Sequence, residues 1–167
     1  MVKPHIKDID AVTLAACDAY LPSLLGMPEP QLRAYPVYTV IAEKFQAMVK
    51  LGLANSRMKD FYDLSVIAHT MLLDGHILVQ AVKATFKRRN TTISTEALYV
   101  FSDDFKNDKN KQVQWKAFLN KNSLDNVTDF SYIAGEVQQL LEPVYLSIAD
   151  QHLYELHWFP EAFQWKK

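Results

Sequence analysis

The stretch Pro36–Leu64, PVYTVIAEKFQAMVKLGLANSRMKDFYDL, decides the fold and reads as two helices joined by a short turn. The first, about Val37 to Leu51, follows a proline and stops at Gly52, a residue suited to the left-handed position after a helix. The second starts after Asn55-Ser56, either of which can accept a hydrogen bond from the free amides of the first turn. At about 100° per residue, Val37, Val40, Ile41, Met48 and Leu51 fall on one apolar stripe with Lys44 in its middle. Glu43, Gln46 and Lys50 take the opposite, solvated face. On the second helix Phe61, Leu64, Ile67, Ala68, Met71 and Leu72 form the stripe. Asp60 falls inside it, Asp63 at its edge, and Lys59 further round.

A lysine and an aspartate therefore stand where an aliphatic residue would serve stability better. An unpaired charge taken out of water is strongly unfavourable, so such groups find each other. The short connection makes the helices antiparallel neighbours, and Lys44 is expected to meet Asp60 or Asp63 at their interface or in a cleft beside it. Two readings follow. One is a structural ion pair, or a lysine whose amine snorkels to the surface. The other is a polar site on a helical hairpin, with the lysine for phosphate and the carboxylates for metal or proton transfer.

With 167 residues, 49 % of them hydrophobic, the chain suits one domain over 1–167 with a sizeable core. A net charge of −1 gives no global attraction to nucleic acid or anionic lipid. The single cysteine, Cys17, excludes an intrachain disulfide and fits a reducing cytoplasm. MVKPHIKDID contains no apolar secretory core, and no stretch approaches the ~20 apolar residues of a membrane span. A soluble, cytoplasmic protein without membrane contact is the expectation.

Residues 3–13 read as a short strand in which Asp8-Ile9-Asp10 places two carboxylates on one face. Such a pair holds Mg²⁺ in nucleotidyltransferases when a Gly/Ser-rich phosphate loop precedes it. The residues before Asp8 contain neither glycine nor serine, so the triplet reads as a polar strand end. Pro22, Pro28, Pro30 and Pro36 make residues 14–36 an extended strap, anchored by Leu21, Leu24, Leu25 and Met27. Beyond the helical pair, Asp74-Gly75 turns into and caps a helix from about His76 to Arg89. Lys83, Lys87, Arg88 and Arg89 gather at its C-terminal end, where cations suit the dipole. His69 and His76 lack metal-ligand company and read as non-functional. A short helix in 96–110 ends in the solvated DDFKNDKN. A further helix, about Lys111 to Leu119, carries Val113, Trp115, Phe118 and Leu119. The last, about Asn126 to Ile148, is capped by Asn126 or Thr128 and kinked or ended by Pro143. The aromatic tail, Leu153 to Trp165, is irregular or short strand and packs back on the body. The fold expected is mainly α: a bundle of about five helices with a short N-terminal strand and an irregular aromatic C-terminal tail.

The stretch YPVYTVIAEKFQAMVKLGLANSRMKDFYDL resembles the C-terminal signature of the AbiEii-type nucleotidyltransferase toxins, the toxin half of type IV toxin–antitoxin systems. Those proteins carry an A-E-K helix followed by a K/R-D-x-x-D helix. The likeness extends to DAVT at 10–13, YLPSLL at 20–25, ATFKRR at 84–89 and QWKAFL at 114–119. It implies nucleotidyl transfer from an NTP to an acceptor such as tRNA. Lys44 would neutralise charge developing on phosphate, Asp60 would hold that lysine or activate the attacking group, and Asp63 would support the arrangement. Arg57 and Lys59 would bind substrate. Mg²⁺ and NTP are implied for the full-length family.

The family's phosphate loop and first metal-binding carboxylate pair have no counterpart here, and Asp8-Ile9-Asp10 aligns with a later strand. The resemblance is therefore to the C-terminal part only. No metal ligand is assigned, and the chain alone is expected to bind no cofactor and to transfer nothing. Its partners would be a cognate antitoxin, a separately encoded N-terminal half or a second copy of itself; nucleic-acid contact is left open. The alternative is a non-catalytic interaction or oligomerisation module derived from the family. An unpartnered apolar face near residues 3–25 is expected in the first case.

Overall fold

The structure, a computed structural model, describes residues 37–124 and 128–167, and the backbone of 17–20 and 31–34. The expected strand at 3–13 with Asp8 and Asp10, the strap anchors Leu21, Leu24, Leu25 and Met27, the apolar face near 3–25 and the cap Asn126 lie outside the described residues.

The strap region contributes two antiparallel strands, β1 (Cys17–Tyr20) and β2 (Gln31–Ala34), with Cys17 opposite Ala34 and Tyr20 opposite Gln31. Helix α1 (Val37–Leu51) then ends at Gly52, whose φ of +49° places it in the left-handed region. Any side chain there would be strained. The turn continues as one 3₁₀ turn, Gly52–Ala54, before α2 (Met58–Thr70). The amide of Arg57 donates to Asn55 Oδ1 at 2.9 Å, so Asn55 serves the residue just before the helix. After the two-residue strand β3 (Leu73–Asp74) comes α3 (Gly75–Arg88), capped as expected: Asp74 Oδ1 accepts from the Ile77 amide at 3.0 Å.

A 3₁₀ turn at Tyr99–Phe101 leads to the one-turn helix α4 (Asp103–Lys106), then α5 (Lys109–Lys121) and α6 (Phe130–Ala149). DDFK is thus a helix in its own right, with Phe105 fully buried, and the described helices number six. α6 starts after Asp129, whose side chain makes no capping bond, and not at Thr128. It also continues past Pro143, which does not end it. The ring removes one intrahelical bond, but the last turn is held by burial of Val144, Tyr145 and Ile148. The Tyr145 hydroxyl also accepts from the Ser94 amide at 3.0 Å.

The tail forms β4 (His157–Phe159) and β5 (Gln164–Lys166), which extend β3 into a three-stranded antiparallel sheet. Leu73 pairs with Trp158, and Trp158 with Trp165. The buried Trp158 donates to Ala68 O at 2.7 Å, and Trp165 donates to Leu140 O at 3.0 Å. The aromatic tail is therefore a ribbon pinned across α2 and α6.

The core is one cluster. Phe45 meets Phe86, Phe101 and Tyr145, while Phe61 meets Phe105 and Phe130 in edge and offset contacts. α1 packs chiefly on α3, and α2 on α6; α1 and α2 touch only slightly. That arrangement turns α1 from the expected phase. Its buried face is Thr39, Ile41, Ala42, Phe45, Gln46 and Met48, while Leu51 is exposed. The centre of that face lies about 120° from Lys44, which stands at its margin. Gln46, expected on the solvated face, is buried because α3 and the loop after it cover that side; its Nε2 donates to Thr91 Oγ1 at 2.7 Å. On α2, Met71 and Leu72 lie past the helix end and are exposed, and Ser65 takes a buried place. Val113 of α5 is exposed, while Trp115 is buried and donates to Thr128 O at 2.9 Å. No helix among the described residues is long and apolar enough to cross a membrane.

Candidate functional site

Where α1 leans over the start of α2, Lys44 Nζ lies 2.6 Å from Asp60 Oδ1 and 2.8 Å from Asp63 Oδ2. Asp60 and Asp63 are three apart on α2, so one turn of helix presents both carboxylates to the same ammonium. All three side chains are mostly covered, at 16, 14 and 24 % exposure. Burial acts to lower the Lys44 pKa, but the hydrogen bonds and charges of Asp60 and Asp63 outweigh it and hold it above the ordinary lysine value. Burial likewise acts to raise Asp63, and the bonds from Lys44 and Lys59 outweigh it and keep its carboxyl below the ordinary value. The trio is a charged cluster, with the lysine protonated.

Lys44 and Asp60 of this cluster, but not Asp63, line a cleft of about 230 Å³ together with Glu43, Gln46, Ala47, Lys50, Leu51, Arg57 and Arg89. Four of these are cations and two are acids, which suits a polyanion. Arg88 and Arg89 of the basic end of α3 both reach Glu43, Arg89 Nη2 at 2.8 Å from Oε2. Those arginines tie α3 to the E of the A-E-K segment and put Arg89 at the cleft mouth.

Of the expected substrate contacts, Arg57 lines this cleft and also a second groove of about 490 Å³ with Met58, Lys59, Gln114, Phe118 and Lys121. Lys59 lines only the second. Its Nζ is held by Asp63 at 2.7 and 2.9 Å, an i,i+4 pair on an exposed face. The structure thus brings Lys44, Asp60 and Asp63 together, sets Arg57 between the two grooves and turns Lys59 outward.

Metal ligation does not fit these residues. An ammonium sits between Asp60 and Asp63 where a divalent ion would have to stand. Among the described residues no cluster of three His, Cys, Asp or Glu side chains could hold an ion.

Lys50, Gln46, Glu43 and Arg89 line the cleft without having been singled out for it. The place of Arg89 follows from the basic run ATFKRR facing the glutamate of A-E-K, which the α1–α3 pairing brings about. A second cluster joins α2 to α6. Buried Glu136 accepts from Ser65 Oγ at 2.6 Å, and His69 Nε2 lies 2.7 Å from its other oxygen. The carboxylate stands between serine and histidine, so no Ser–His relay forms. His69 has a partner here, and its ring lies 4.5 Å from that of Phe163.

A family model for the nucleotidyl transferase AbiEii toxin, type IV toxin–antitoxin system, matches residues 3–136. No curated protein and no solved structure matches the chain. With that match covering most of its length, the chain belongs to the AbiEii nucleotidyl transferase toxin family of type IV toxin–antitoxin systems.

Proposed function

We propose that the cleft between α1 and α2 handles the phosphates of a nucleoside triphosphate during nucleotidyl transfer to an acceptor such as tRNA. The observation that carries this reading is the protonated Lys44 pinned between Asp60 and Asp63 in a wall that also presents Lys50, Arg57 and Arg89. Phosphoryl and nucleotidyl transfer depend on positioning and on neutralising charge that develops on the phosphate oxygens. A lysine fixed by two carboxylates is already oriented and loses little freedom when an anion arrives. Asp60 holds Lys44, Asp63 supports both lysines, and Arg57 contacts substrate from the groove boundary; Lys59 serves the neighbouring groove.

On this reading the cleft supplies charge neutralisation, and the divalent ion is held by a partner, since Asp60 and Asp63 are engaged by lysines. Transfer by the isolated chain is not expected. As a member of a toxin–antitoxin family, it has a cognate antitoxin as a further partner.

The test has two arms. In the first, the purified chain is incubated with labelled NTPs, Mg²⁺ and total tRNA; no label should move, and robust transfer overturns the dependence on a partner. In the second, ATP binding is measured by calorimetry for the wild type, Lys44→Met and Arg57→Ala. Both substitutions should weaken it by about tenfold, the loss of one charge-assisted contact. Unchanged affinity in both removes the phosphate-handling role.

A further inference from the structure

The most deeply buried ammonium among the described residues is that of Lys111, in the first turn of α5, with 2 % of the residue exposed. It has no described carboxylate within ion-pair distance. Its Nζ donates to the backbone carbonyls of Leu53 at 2.7 Å and Asn55 at 2.6 Å, and lies 5.5 Å from the centre of the Phe105 ring. Burial depresses its pKa, with a smaller opposing contribution from Asp108. A methionine would fill the same space without the desolvation penalty of the ammonium, but it would leave the Leu53 and Asn55 carbonyls without this donor, so the lysine's specific contribution is to hold that turn.

Both carbonyls belong to the link between α1 and α2. Leu53 is in the 3₁₀ turn, and Asn55 follows it with no exposed surface. Asn55 Oδ1 then accepts the Arg57 amide. Asn55 therefore links Lys111, which donates to its backbone carbonyl, to Arg57, which donates to its side-chain oxygen and, like Asp60, lines both grooves. α1 and α2 touch only slightly, so beyond the shared packing on α3 and α6 it is this turn and the Lys44 bridge that join one helix directly to the other.

We infer that Lys111 is a positioning residue: from behind the turn, it fixes the start of α2 so that Arg57 and Asp60 face Lys44 across the cleft. The consequence for ligand affinity rests on the phosphate-handling reading above; the consequence for the backbone does not.

Lys111→Met separates the two. In the full chain, hydrogen exchange should speed up at least tenfold at the Arg57 amide while amides of α3 and α6 keep their rates. The melting temperature should fall modestly, because the buried Asn55 carbonyl loses its donor. Tripolyphosphate affinity, measured by calorimetry, should fall several-fold. Lys111→Arg, which retains two donors, should restore Arg57 protection. If Lys111→Met does not fold, Lys111→Gln, with one donor chain in place of an ammonium, should give intermediate exchange at Arg57. Unchanged Arg57 exchange overturns the inference, as does an acceleration as large in α3 and α6 as at Arg57, which marks an ordinary core residue. If Arg57 exchange rises in Lys111→Met while Arg57→Ala leaves tripolyphosphate binding intact, the positioning holds and the phosphate-handling reading fails.

Discussion

Lys44 is held by two carboxylates, and removing it leaves both partly buried without their common partner. Lys44→Met should cost about 2–3 kcal/mol in urea unfolding, since groups stripped of a charged partner retain their desolvation penalty. Lys59→Met, at a position 72 % exposed, should change stability by less than about 0.5 kcal/mol. The same cluster predicts a pH dependence. Asp63 has a folded pKa below its ordinary 3.8, so its contribution is present above that value and is lost as pH falls through the lower, folded one. Between about pH 5 and pH 2.5 the wild type should lose stability more steeply than Asp63→Asn. Lys44 has the opposite sign: its contribution is complete below 10.5 and is lost as pH rises above that. Equal acid slopes for the two proteins would remove Asp63 from this role. The pairing of Lys44 with Asp60 and Asp63 was legible in sequence because charges interrupting apolar stripes on linked helices have few places to go. Lys111 was not legible. It follows the polar run DDFKNDKN, and a lysine there reads as solvated until the fold brings two carbonyls to its amine.

At the scale of elements, the helices themselves were readable, but which face each one buries depended on partners distant in sequence. At about 100° per residue the apolar residues of α1 centre on Lys44, a spacing that carries no information about which element packs there. The main partner of α1 is α3, so Phe45, Ala42 and Gln46 turn inward and Leu51 turns out. Of the two outcomes expected at Pro143, a kink or an end, the end does not occur: α6 continues on the strength of buried residues after it. The start of α3 offers a direct check on how elements are joined. The Gly75 amide donates to Leu156 O at 2.8 Å, and a Cβ at Gly75 would lie 2.5 Å from that carbonyl oxygen and 2.6 Å from Tyr154 Cδ1. The nearest obstacle is backbone, which cannot swing aside. Gly75→Ala should therefore cost about 1–3 kcal/mol through overpacking. Fluorescence of Trp158, buried beside this seam, should shift to the red at lower denaturant than the rest of the fold reports. A coincident, unshifted transition would show that the ribbon accommodates the methyl group.

At the scale of the molecule, the family match and the fold have different extents. The match ends at Glu136, part-way along α6, whereas the core continues through Val137, Leu140, Leu141, Val144, Tyr145, Tyr154 and Trp158. Tyr145 packs against Phe45 and Phe86, and Trp158 anchors the ribbon on α2 through Ala68. Burying a large apolar side chain contributes about 1.5–3 kcal/mol, and a domain retains only about 5–15 kcal/mol in total. Losing several such residues exceeds that margin. A chain cut after Glu136 should therefore lack a cooperative thermal transition and a dispersed amide spectrum, although it keeps Lys44, Arg57, Asp60 and Asp63. Glu136 would also lose the helix that presents it to Ser65 and His69. Restoring residues 137–149 alone should return α6 but leave Trp158's place against Ala68 and Leu73 open, so that cooperative unfolding is recovered at a lower melting temperature. Full stability requires the ribbon as well. A well-dispersed spectrum from the chain ending at Glu136 would mean that the cleft is built by the family-matched segment without the aromatic ribbon, contrary to the packing observed.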